Sequence, residues 1–228
     1  MPEEIPDEKM IVEENFQKKL GLTMALIATI FSIIGWAAGK YSSIQSGAEQ
    51  KIAYMHDWYN AKGIKQSLAE GQRDLLKALM ESGTISGDKI VTLQQNLEAT
   101  HANIARYKKE KTEMTLGSKA VGEDNWVQEV DGKLGLIEGT KELDLKVAGL
   151  APALDRFQMS YLFFQLSLFA GSVSLMSNNV KMKRILFLIL FILGTIGTGL
   201  ATHAWISAKA VEGPLFHGVL HYFNSTNL

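Results

Sequence analysis

Three stretches without a single Asp, Glu, Lys or Arg, residues 21–39, 157–180 and 185–208, constrain this chain more than anything else in it. A helix rises 1.5 Å per residue, so about 20 apolar residues cross the hydrocarbon core of a bilayer. Each stretch is long enough. The 116 residues from 41 to 156 carry 15 of the 23 Lys and Arg and 17 of the 24 Asp and Glu. This segregation predicts an all-α membrane protein with three transmembrane helices and one extramembrane domain, an antiparallel helical hairpin or coiled coil. A mean hydropathy of +0.03 conceals the pattern, because apolar blocks and charged blocks cancel in the average.

The direction of the spans follows from Lys and Arg in short flanking segments. Lys18 and Lys19 precede the first span, and Lys181, Lys183 and Arg184 lie between the second and third. Both clusters predict the cytoplasmic side. The expected order is a cytoplasmic segment 1–20, a span 21–39, an extracytoplasmic domain 40–156, a span 157–180, a basic turn 181–184, a span 185–208 and an extracytoplasmic tail 209–228. The location implied is the inner, cytoplasmic membrane. The core of the first span exceeds a signal-peptide h-region and follows an acidic start, so a retained anchor is expected.

Composition also limits the chemistry. A net charge of −1 leaves no basic footprint for nucleic acid. With no Cys, the chain has no disulfide, thiol or Cys-ligated metal. No nucleotide-binding Gly loop matches its recognisable pattern, and no nucleophile sits in a known motif. His217 and His221 stand four residues apart, a spacing that places two imidazoles on one helical face as zinc sites require. The aromatic-rich segment around them favours an amphipathic stretch on the membrane surface, so no metal and no cofactor is expected. No span holds an ionisable Asp, Glu, Lys or Arg, which speaks against an ion pump.

In the large domain, Ile44, Ala48, Ile52, Met55 and Tyr59, then Ile64, Leu68, Leu75 and Leu79, follow helical spacing and predict one apolar face. The break at 82–88 contains Gly83 and Gly87. A second helix is expected with its seam at Ile90, Leu93, Leu97, Thr100, Ile104, Tyr107, Lys111 and Met114, in alternating steps of three and four. Five glycines between Gly117 and Gly139 predict a loop with a short helix around Trp126–Val130. A helix over 140–156 should lead into the second span, with Pro152 in its first turn. If the chain reverses near residue 84.5, Lys62 meets Tyr107. Trp58, Tyr59, Lys62, Arg106 and Tyr107 then form a cation–aromatic layer that sets hairpin register.

Within the spans, helix packing in lipid relies on small residues. Gly35 and Gly39, then Ser167, Gly171 and Ser174, then Gly194, Thr198 and Thr202 are the expected packing faces. Gln165 is the strongly polar side chain inside a span, expected to hydrogen-bond to another helix.

Three segments in order resemble an uncharacterised bacterial membrane family, domain of unknown function 4337. They are Trp58-Tyr59-Asn60-Ala61-Lys62-Gly63-Ile64-Lys65-Gln66, then Ile104-Ala105-Arg106-Tyr107-Lys108-Lys109-Glu110-Lys111, then Arg156-Phe157 followed by Gln165. The resemblance covers most of residues 20–205 and implies the three-span layout; the Gly-rich 117–139 region and the tail after Lys209 depart from it. It implies no activity.

The expected function is a non-enzymatic integral membrane protein, an accessory subunit or scaffold. It would act through protein–protein contact as a homo-oligomer or within a larger membrane complex, with membrane lipid around it. The alternative is an oligomeric channel or a stator-like membrane component.

Overall fold

The structure, a computed structural model, describes residues 8–83 and 85–212. Its elements are α1 (Glu8–Glu81), α2 (Asp88–Leu116), α3 (Ser118–Val121), a 3-10 turn (Glu123–Asn125), β1 (Glu129–Val130), β2 (Lys133–Leu134), α4 (Thr140–Met176) and α5 (Val180–Glu212). The architecture is all-α apart from the two-residue strand pair. Three helices, α1, α4 and α5, are long and apolar enough to cross a membrane. The described residues fall into two compact units, 8–45 with 149–212 and 46–148.

In the first, apolar unit, the helices meet along seams of three- and four-residue steps. On α4 the buried row is Leu150, Ala153, Phe157, Ser160, Phe164, Ser167, Gly171 and Ser174. On α5 it includes Lys183, Leu190, Gly194, Gly197, Ala201, Ala204, Ala208 and Val211. Such rows are the knobs-and-holes pattern of supercoiled helices. Three serines spaced by seven lock α4 to α5 in antiparallel register. Ser160 donates to the Gly197 carbonyl at 2.8 Å, Ser167 to Leu190 at 2.7 Å and Ser174 to Lys183 at 3.0 Å. The acceptors are also seven apart, so each heptad contributes one bond.

On α1, Phe31 packs edge-on against Tyr161, and Tyr41 stacks on Phe157. Glu13 pairs with Lys183 at one end and Lys40 with Glu212 at the other, so α1 and α5 run parallel. Many of the side chains turned outward are large and apolar, among them Leu22, Leu26 and Trp36 on α1, Leu162 and Phe169 on α4, and Leu188 and Phe191 on α5. Large apolar side chains both inside, as Phe157, Phe164 and Leu190, and outside depart from the surface of a water-soluble bundle.

In the second, polar unit, α2 carries its seam as the spacing predicts. Thr100, Ile104 and Met114 are buried, and Ile90, Leu93, Leu97, Tyr107 and Lys111 are half-buried. The face predicted on α1 is only half right. Ala48 and Met55 are buried, but Ile64, Leu68 and Leu75 are exposed; Ala69 and Leu76 take their place inside. The buried positions 48, 55, 69 and 76 keep a seven-residue register, which the step from Tyr59 to Ile64 abandons.

The Gly-rich region is a small built cap, and its helical turns lie at Ser118–Val121 and Glu123–Asn125 instead of Trp126–Val130. Trp126 is already extended, and β1 and β2 form a hairpin across Asp131-Gly132, both at positive φ (51° and 73°). Two consecutive positive-φ residues make the tight turn whose twist suits a two-residue hairpin. Pro152 also differs from expectation. It lies inside α4, 12 residues after Thr140, and removes the donor that the Ala148 carbonyl would otherwise have. The two compact units part at this point of the chain.

Candidate functional site

The polar unit concentrates the chemistry of the chain on facing turns of α1 and α2. The Lys62 ammonium lies 2.6 Å from Glu110 Oε2, and Arg106 Nε donates to Glu110 Oε1 at 2.8 Å. Glu110 is buried, so both of its oxygens are held by cations. Lys62 also sits 5.8 Å from the Trp58 ring centroid and 6.0 Å from that of Tyr107. One turn further, Lys111 lies 4.5 Å over Tyr59 and donates to Gln66. Cation–aromatic contacts contribute about 0.5–2 kcal/mol each. Of the five residues singled out from sequence as a register layer, Lys62 and Arg106 hold Glu110, Trp58 and Tyr107 lie by Lys62, and Tyr59 lies under Lys111. Beside them a cleft of about 490 Å³ is lined by Tyr59, Gln66, Lys108, Lys111, Thr112 and Thr115. Glu110 is held between two cations, and Lys111 is held by a ring and an amide oxygen, an arrangement that suits a locked joint between helices.

The cap is organised by a second buried carboxyl, Glu113. Its Oε1 accepts from the Ser118 hydroxyl at 2.7 Å, and its Oε2 accepts from the backbone N–H groups of Val127 and Gln128 at 3.0 Å each. Ser118 Oγ accepts in turn from Ile137 N at 2.9 Å, and the Trp126 indole donates to the Ser118 carbonyl at 2.6 Å. Met55, Met114 and Ile137 form the apolar cluster beneath, with Trp58 and Val130 against it. Lys51 donates to Glu138 at 2.7 Å, and this bond holds the Glu138 carboxyl below the usual carboxylate range.

Glu113→Ala should destabilise the polar unit by about 3 kcal/mol, because it strands buried donors that cost about 1–3 kcal/mol each. Glu113→Gln should lose less, since an amide oxygen still accepts. Thermal unfolding followed by Trp fluorescence measures both, and equal midpoints for all three proteins would refute the role.

In the apolar unit the predicted packing residues separate into contacts and outward positions. A Cβ on Gly171 would meet Leu190 at 2.5 Å, and one on Gly194 would meet Ile27 at 2.9 Å, so both mark close approaches. Gly35 lies by Tyr161, whereas Gly39 is exposed with open space around it. Thr198 and Thr202 donate back to the Gly194 and Thr198 carbonyls at 2.8 Å, which engages their hydroxyls within α5. Both line a groove between α1 and α5 of about 590 Å³, with Thr23, Thr195 and His203 among its mostly apolar walls. Gln165 is exposed and has no hydrogen-bond partner among the described residues.

Among the described residues no group of His, Asp or Glu is placed to hold a metal ion. His217 and His221 lie outside the described residues. The sequence named Glu110 only within a family-like segment, without a role, and did not single out Glu113, Ser118 or Ser160. Ser160 was accessible by stepping seven back from Ser167. Glu113 was not, because its partners lie up to 15 residues away in a region without periodicity.

The fold is thus that of an all-α protein with three helices of membrane-crossing length and apolarity, joined to a polar helical unit with a built cap. The chain belongs to the family described as Domain of unknown function (DUF4337), whose model matches residues 16–207. No curated protein and no solved structure matches it.

Proposed function

We propose that this protein is a membrane-anchored scaffold or accessory subunit, non-enzymatic, whose polar unit forms an extracytoplasmic helical hairpin that docks a partner helix. One observation carries the reading. Ile64, Leu68, Leu75 and Leu79 are all exposed on α1 within the charge-rich unit, three of them more than 60% exposed. Ala61, Ile64, Leu68, Gly71, Leu75 and Ala78 follow one another in steps of three and four and are all exposed, with Leu79 beside Ala78, while Ala69 and Leu76 are buried. An exposed apolar row of that period in a water-facing domain matches the seam of a further helix. The tight internal pairing of Lys62, Arg106 and Glu110 supports a rigid platform.

The spans α1, α4 and α5 anchor it in the cytoplasmic membrane, with the N-terminus inside. The pairing of Glu13 with Lys183 supports this by bringing the ends that carry both basic clusters together. The test uses native-lipid particles of the full chain. We expect a co-purifying protein or second copy that Leu68→Arg with Leu75→Arg releases. A particle of one chain, unchanged by the double variant, would overturn the scaffold role. Labelling Lys133→Cys, an exposed site, with an impermeant thiol reagent tests the sidedness. Reaction only after lysis would favour the channel-like or stator-like layout instead.

A further inference from the structure

The outward face of α4 carries polar side chains where lipid would lie. Gln158, Gln165 and Ser172 stand seven residues apart, and all three are exposed. Leu162, Phe169 and Met176 alternate with them in steps of three and four and are exposed as well. This is a second seam on a helix whose first seam is filled by α1 and α5.

Gln165 lies at mid-span. Its neighbours Tyr161 and Phe164 contact Ile34 and Phe31 of α1, near the centre of the apolar stretch 21–39. Its amide has two donors and an acceptor with no partner among the described residues. In hydrocarbon such a group loses the hydrogen bonds that water supplies, and polar side chains there bond across helices.

We propose that α4 of one copy pairs with α4 of a second copy through this face, with the two Gln165 amides hydrogen-bonded to each other in the bilayer. A two-fold axis along the membrane normal keeps every residue at its own depth. A second copy therefore presents an amide at the level where the first one needs a partner. The same axis makes the helices parallel, so Leu162, Phe169 and Met176 meet their own counterparts. Polar residues in an otherwise apolar seam fix register in this way. The inference rests on the membrane-anchored reading above and specifies its self-partner.

The chain has no Cys, so one introduced thiol reports one position. In native membranes, oxidation should cross-link Phe169→Cys into dimers, while Met159→Cys, exposed but turned about 100° away, should cross-link far less. Gln165→Leu should lower the association constant about three- to thirty-fold, by energy transfer between labelled copies in vesicles, and Gln165→Asn should retain part of it. Equal cross-linking at 159 and 169, or association unaffected by Gln165→Leu, overturns the pairing. Alkaline extraction of the same membranes separates the two claims. A chain washed off refutes the anchor itself, whereas an embedded chain with no Phe169→Cys dimer refutes only this contact.

Discussion

Gly139→Ala is expected to dismantle the cap of residues 117–139 at a cost of about 3 kcal/mol or more. A Cβ at Gly139 would lie 2.2 Å from Gly117 N, 2.4 Å from the Leu116 carbonyl carbon and 2.8 Å from Thr115 O. All three are backbone atoms at the end of α2, so no rotamer change relieves the overlap. The segment must withdraw. Withdrawal would take Ile137 away from Ser118, to which it is bonded through both its N–H and its carbonyl. Amide exchange at Ser118 and Ile137, with Trp126 fluorescence, reads the result directly. Lys119→Ala, at an exposed neighbour, is the control. Unchanged protection in Gly139→Ala would mean that the Gly117–Gly139 approach is not what holds the cap.

The second large effect concerns the serine row on α4. Ser167 is fully buried, with its hydroxyl on the Leu190 carbonyl and only 3.4 Å from where a Gly194 side chain would begin. Ser167→Leu should force α4 and α5 apart, at about 1–3 kcal/mol or more for overpacking. Ser167→Ala should lose only the hydrogen bond, on average about 0.6 kcal/mol between membrane helices. Ser32→Leu, on an outward position of α1, should be nearly neutral, because its hydroxyl bonds only to the Ala28 carbonyl of its own helix. Denaturant titration in mixed micelles ranks the three. If Ser32→Leu costs as much as Ser167→Leu, the row contributes nothing particular to register.

Particular residues show how far local pattern reaches. The α2 seam from Ile90 to Met114 was readable because its steps never leave the three-four alternation. On α1 two apolar rows share one helix, and the larger side chains Ile64, Leu68 and Leu75 form the more obvious one. Size argued for burying that row, yet the smaller Ala69 faces inward. The Glu110 cluster was half legible: its cations and rings were identified, but the carboxylate between the cations was given no role. In the Gly-rich region glycine content pointed to irregular backbone without saying which glycines touch.

The linear chain by itself determined the helical class, the three apolar stretches and the family to which it belongs, since these depend on local period and on where charge is absent. Only the tertiary structure decided which α1 row is covered, that Glu113 holds the cap, that serines lock α4 to α5, and that Gln165 is left facing outward. The reason is physical. A helix offers several faces of the same period, and the choice among them depends on contacts with segments far along the chain, which no local pattern encodes.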